Sequence, residues 1–143
     1  MGNVLYTCGY GGRKPEDFIA LLKDNGIQCV IDVRRWRSGA FIQKYRPGND
    51  MRDFLREQNI TYSHDYWLSN EYDLLVDYRR WIKTVEGFNT LKLTARDMCD
   101  NVVYCILCAE KAVFKEGLVN CHRVYVAEEL VKLLGEGWEV KHL

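Results

Sequence analysis

Val4-Leu5-Tyr6-Thr7-Cys8, then Gly9-Tyr10-Gly11-Gly12, then Pro15 with Phe18, Leu21 and Leu22, then Cys29-Val30-Ile31-Asp32-Val33: this stretch of the sequence decides the fold. An apolar run stops at a glycine cluster. Pro15 opens a segment whose apolar residues share one helical face, Gly26 closes it, and a second apolar run follows. Strand, helix and strand within about thirty residues is the length of a right-handed parallel crossover unit.

The same pattern extends outward. Asp50 is expected to cap a short helix carrying Phe54 and Leu55, with a short strand at Ile60-Thr61-Tyr62. Leu74, Tyr78, Trp81, Ile82 and Val85 recur at helical spacing and Gly87 ends that segment; Leu91, Ala95 and Met98 mark another helix. Val102 to Cys108 is the most apolar strand and the expected sheet centre. A final helix starts at Asn120, carries Val124, Ala127, Val131 and Leu134 on one face and stops at Gly135, before a last strand at Trp138 to Val140. No internal repeat or low-complexity tract interrupts this order. The expectation is one α/β domain over residues 1–143, Rossmann-like, with a mainly parallel sheet and helices on both faces.

Composition bounds the function classes. The chain has 143 residues, 48% apolar and 28% charged, which excludes a disordered or fibrous protein. Twenty basic and twenty acidic side chains cancel, which argues against holding nucleic acid by bulk charge. The longest apolar run, Val102 to Ala109, is far short of the about twenty residues of a membrane span. The N-terminus lacks the pattern of a secretory signal, and six cysteines in that setting read as cytosolic thiols, so the expected location is the cytoplasm.

Ligands of parallel α/β sheets bind outside the carboxyl ends of the strands. Four polar groups collect there: Gly9-Tyr10-Gly11, Asp32 with Arg34, Cys108-Ala109-Glu110, and Cys121-His122-Arg123. The glycines would let backbone approach a phosphate, or simply turn the chain. Asp32 is either an acid–base group or half of a buried ion pair with Arg34, which points to the same side of an extended chain. With Asn120 as cap, Cys121 would occupy the first helical position, where the helix dipole and Arg123 favour a thiolate; a cysteine packed inward is the alternative. The same helix end, with His122 and Arg123, would equally hold an anion. Glu110 would orient Arg123 or serve as general base. Asp32, Arg34, Glu110 and Arg123 are expected to line one cleft.

Cys105, Cys108, Cys121 and His122 resemble a zinc ligand set, but residues three apart in a strand face opposite sides of the sheet, so Cys105 and Cys108 cannot converge. No metal and no cofactor are expected, and Cys105 reads as a small buried hydrophobe.

The Thr7-Cys8-Gly9-Tyr10-Gly11 opening with Phe18 and Leu21-Leu22, then Asp32-Val33-Arg34, Cys108-Ala109-Glu110 and Cys121-His122-Arg123, together resemble the domain of unknown function 488 family over nearly the whole chain. The resemblance implies a compact α/β domain and no particular reaction. Two departures stand out: Trp36-Arg37-Ser38-Gly39 carries no proline after the Asp-Val-Arg step, and the connection Lys111 to Asn120 is longer than the resemblance implies.

Three functions are open. The first is an enzyme acting on a phosphate-bearing, nucleotide-like small molecule, with Cys108 or Cys121 as nucleophile, Glu110 or Asp32 as acid–base group, and Gly9, Tyr10, Gly11, Arg34, His122 and Arg123 binding the ligand. The second is a nucleic-acid-binding module in which Arg34 to Arg46, with Trp36, Phe41 and Tyr45, grips a backbone. The third is a non-catalytic fold whose motifs are internal ion pairs. Oligomeric state is left open.

Overall fold

The computed structural model describes residues 3–36 and 39–143. Its elements run β1 (Asn3–Gly9), α1 (Pro15–Asp24), β2 (Cys29–Asp32), α2 (Asn49–Arg56), β3 (Thr61–His64), α3 (Leu75–Ile82), α4 (Val85–Ala95), β4 (Tyr104–Cys108), a small hairpin of β5 (Phe114–Lys115) and β6 (Leu118–Val119), α5 (Arg123–Leu134) and β7 (Trp138–His142). Five strands form a parallel sheet in the order β3-β2-β4-β1-β7. This is the α/β architecture expected. Its order differs from the dinucleotide-binding order, in which β1 and β2 are neighbours, because β4 sits between them.

Local chemistry explains the elements. Pro15 stands at the start of α1, Glu16 and Asp17 follow in its first turn and Lys23 lies in its last, all favourable to the helix dipole. Every residue of β4 is buried, as a central strand covered on both faces requires. One face of the sheet packs Cys8, Val30, Cys105 and Leu107 against Phe18 and Leu22 of α1 and Met51 and Phe54 of α2. The other packs Leu5, Ile31, Ile106 and Cys108 against Tyr78 and Ile82 of α3, Leu91 of α4, and Val126, Ala127 and Leu130 of α5. Cys105 is fully buried against Cys8, on the face opposite Cys108, as the alternation of a strand demands.

Several boundaries differ from expectation, each for a tertiary reason. Gly48, not Asp50, caps α2. Gly87 does not end a helix but lies in the first turn of α4, whose cap is Thr84 accepting from the Gly87 N–H at 3.2 Å. A Cβ at position 87 would lie 2.3 Å from the Trp81 carbonyl oxygen and 2.6 Å from Ile82 Cα, so only glycine lets α4 start so close to the end of α3. Helix α5 begins at Arg123 rather than Asn120. The Lys111–Asn120 connection folds into the β5–β6 hairpin, its turn made by Glu116 (φ 54°) and Gly117 (φ 80°). No helix among the described residues is long and apolar enough to cross a membrane.

Helix propensity alone predicts that Gly87→Ala stabilises α4 by about 1 kcal/mol. The contact with Trp81 reverses the sign: chemical unfolding is expected to show a loss of about 1–3 kcal/mol.

Candidate functional site

The strand ends after β2 and β4 and the segment entering α5 enclose a cavity of about 220 Å3, bordered by Arg34, Arg35, Cys108, Glu110, Asn120 and His122, with Cys121 among its remaining neighbours. Of the residues singled out in the sequence, this cavity brings together Arg34, Cys108, Glu110, Cys121 and His122. The cavity also touches Asn70 and Leu75, which no local motif signals because they come from the loop after β3 and the start of α3.

Asp32 and Arg123 do not line this cavity; both are 0% exposed and lie beneath it. Asp32 is held by Arg34 through two parallel bonds, Nε to Oδ1 at 2.9 Å and Nη2 to Oδ2 at 2.8 Å. The Arg34 backbone N–H and the Tyr62 hydroxyl also donate to the same carboxylate. Arg34 Nη1 donates to the Tyr45 carbonyl, and the guanidinium sits 4.8 Å from the Tyr10 ring centroid. This geometry is the buried ion pair foreseen as one of the two readings of Asp32, with every charged atom partnered.

Arg123 reaches a different set of groups. Its Nε donates to Thr7 Oγ1 at 3.2 Å, Nη1 to the Glu110 carbonyl and to Cys108 Sγ at 3.7 Å, and Nη2 to the Lys111 carbonyl at 3.3 Å. Burial pushes its pKa below the usual arginine value. Both arginines expected to hold an anion are therefore committed to protein groups, and Arg35, exposed and 3.5 Å from Glu71, is the cation at the rim.

The glycine cluster has a packing reason of its own. A Cβ on Gly9 would fall on the Glu110 backbone carbonyl, and one on Gly11 would lie 2.6 Å from the Ala109 oxygen, which accepts from the Gly11 N–H. The loop after β1 thus presses backbone to backbone against the loop after β4. Tyr10 and Gly11 face another cavity, of about 440 Å3, shared with Arg13, Lys14, Phe41 and Tyr45. The expected single site is divided by this contact.

Cys121 lies two residues before α5, not at its first helical position, and Asn120 does not cap the helix. The Asn120 side chain instead donates to the Ala112 carbonyl at 3.2 Å and faces Glu110 Oε2 at 3.5 Å, closing the base of the hairpin. Cys108 and Cys121 are buried, and their sulfurs lie within bonding distance of one another, with Cα atoms 7.6 Å apart. This pairing was not expected from the reading of six separate thiols; Cys8, Cys29, Cys99 and Cys105 are free. A donor atom of His122 lies within 4.8 Å of both sulfurs. The His122 ring is fixed by Nε2 on the Val33 carbonyl at 3.1 Å and by edge packing on Tyr78. Burial pushes its pKa down to about 4, so it is neutral near pH 7.

Of the basic and aromatic stretch, Arg46 is exposed, Trp36 is 59% exposed and Phe41 is fully exposed, whereas Arg34 and Tyr45 are buried. Tyr45 spends its hydroxyl on the Arg13 carbonyl. Arg37 lies outside the described residues.

The family model described as domain of unknown function DUF488 matches residues 14–130. No curated protein and no solved structure matches the chain.

Asp32→Asn leaves Arg34 buried with its counter-charge gone. Urea unfolding is expected to show a loss of about 3–5 kcal/mol; a loss below about 1 kcal/mol, the range of an exposed pair, is the contrary result.

Proposed function

We propose, for a chain that belongs to the DUF488 family, that it is an enzyme acting on a small phosphate-bearing molecule bound in the cleft at the carboxyl ends of β2 and β4. The observation that carries the reading is convergence: Cys108, Cys121 and His122 border one concavity with Glu110 and with the exposed Arg35. Polar and titratable groups gathered in a cleft of an α/β sheet are a common setting for chemistry.

The cavity is smaller than the about 300–1,000 Å3 of sites for drug-sized ligands. It suits the reacting end of a substrate, with the remainder lying along the rim. Arg35 is the group for an anionic part of the ligand, since Arg34 is paired with Asp32 and Arg123 is buried on Thr7, Cys108 and two carbonyls. Glu110, exposed and among the described residues held by the long contact to Asn120 alone, is the acid–base group. The cysteine pair with His122 is the chemical centre. Asp32 and Arg34 form the floor on which the loop after β2 rests. Its proposed location is the cytoplasm.

Thermal melting with mononucleotides and phosphosugars tests the reading. A concentration-dependent rise in melting temperature is expected, and Arg35→Ala is expected to weaken binding about fivefold, the worth of one exposed charge contact of about 1 kcal/mol. Salt-sensitive binding of oligonucleotides without any response to mononucleotides would instead favour nucleic acid at the Arg35 to Arg46 stretch.

Turnover assays on any stabilising compound test Glu110. Glu110→Gln is expected to lower turnover by about 100-fold or more while the ligand-induced melting shift persists. Unchanged turnover would remove Glu110 from the chemistry.

A further inference from the structure

We propose that Cys108, Cys121 and His122 bind one divalent transition-metal ion of the zinc class, with the fourth coordination position open to the cleft. Ligand atoms of the three residues lie within 4.8 Å of one another, and all three residues are buried. Two sulfurs and an imidazole form a donor set that suits zinc, and three protein ligands with one open position are the pattern of reactive rather than purely structural sites. The earlier objection to a metal concerned Cys105, which faces the opposite side of the sheet and takes no part.

Two features of the surroundings point the same way. His122 directs Nε2 at the Val33 carbonyl, so that nitrogen carries the proton and Nδ1 keeps the lone pair that a metal takes. A carbonyl partner on the far ring nitrogen is the usual support of a ligating histidine. The Cα atoms of Cys108 and Cys121 are 7.6 Å apart, wider than the about 4.4–6.8 Å spanned by disulfides. Once the pair is reduced and its sulfurs part, a shared ion fits that span, because it places two metal–sulfur bonds of about 2.3 Å each between the sulfurs.

Arg123 supplies the independent argument. It is fully buried, and among the described residues it makes no ion pair; its partners are the Thr7 hydroxyl, two carbonyls and Cys108 Sγ. A buried charge without a counter-charge is costly. A neutral disulfide would leave it so, whereas a thiolate at Cys108 answers it, and metal binding maintains thiolates at neutral pH. A thiol reductant first converts the bonded pair to two thiols, supplying two electrons and two protons and leaving as its own disulfide; binding then exchanges the two thiol protons for the ion, and both protons pass to solvent. In the loaded protein the sulfurs are ligands, and the reactive position of the cleft is the open site beside Glu110 and Asn120. In that respect the inference rests on the function proposed above.

The full chain, purified in reductant and stripped with chelator, is titrated with zinc and with cobalt. One ion per chain is expected, with a thiolate-to-cobalt charge-transfer band and the intense visible absorption of tetrahedral cobalt. Both signals are expected to be lost in Cys121→Ser and His122→Gln variants that retain the wild-type far-ultraviolet spectrum, and kept in Cys29→Ser. On the wild type, which avoids any question of folding, zinc is expected to shield Cys108 and Cys121 from alkylation as mapped by mass spectrometry. No charge-transfer band in the reduced wild type, a band that survives Cys121→Ser, or a Cys108–Cys121 disulfide that persists in reductant overturns the inference. Metal binding without any ligand-induced melting shift upholds the inference while refuting the small-molecule reading; a melting shift without metal binding does the reverse.

Discussion

The buried guanidinium of Arg123 is the constraint around which the carboxyl end of the sheet is arranged. It enters from the first turn of α5 and reaches Thr7 on β1, Cys108 at the end of β4, and the carbonyls of Glu110 and Lys111 beyond it. A fixed positive charge in a dry place demands acceptors on every side. The chain meets that demand by bending the loop after β4 so that two carbonyls point inward. Gly9 and Gly11 then have to lack side chains, because that bent loop occupies the space a Cβ would take. Exposure of Glu110 and inward placement of Cys108 and Cys121 follow from the same bend.

Asp32 and Arg34 play the matching part on the neighbouring strand. Their pairing ties the loop after β2 to the Tyr45 carbonyl and the Tyr62 hydroxyl, hence to the turn that precedes α2 and to β3. The arginines therefore act as internal struts, and the cleft is formed from what they leave uncovered. This arrangement shifts the weight of the site from fixed positive charge toward sulfur and imidazole. Under the proposed function the anion falls to Arg35, where water and Glu71 compete for the cation.

Particular residues show how far the chain could be read unaided. Pro15, the β-branched and apolar runs, and Gly135 at the end of α5 announce elements through local rules, and the observed elements lie where those rules put them. Gly87 shows the limit: by local rules it ends a helix, but a close helix–helix approach makes it necessary inside one. Asn120 reads as a cap because its type suits that role, yet the hairpin claims its side chain first. The Glu116-Gly117 pair between Phe114-Lys115 and Leu118-Val119 carried the signal of that hairpin, and a turn-by-turn reading would have found it.

The sequence by itself determined the α/β class, the alternation of strands and helices, and the placement of Asp32, Arg34, Cys108 and Glu110 at or just beyond strand ends, because periodicity and turn chemistry act over a few residues. It also determined that Cys105 faces away from Cys108, since strand alternation is a local law. Only the tertiary structure decided that β4 inserts between β1 and β2, that Arg34 and Arg123 turn inward, and that Cys121 and His122 arrive beside Cys108. Those outcomes depend on which buried charge finds acceptors and which surfaces interlock across separations of a dozen to more than a hundred residues. No local pattern encodes such a partnership, because its energy exists only once both partners have left water together.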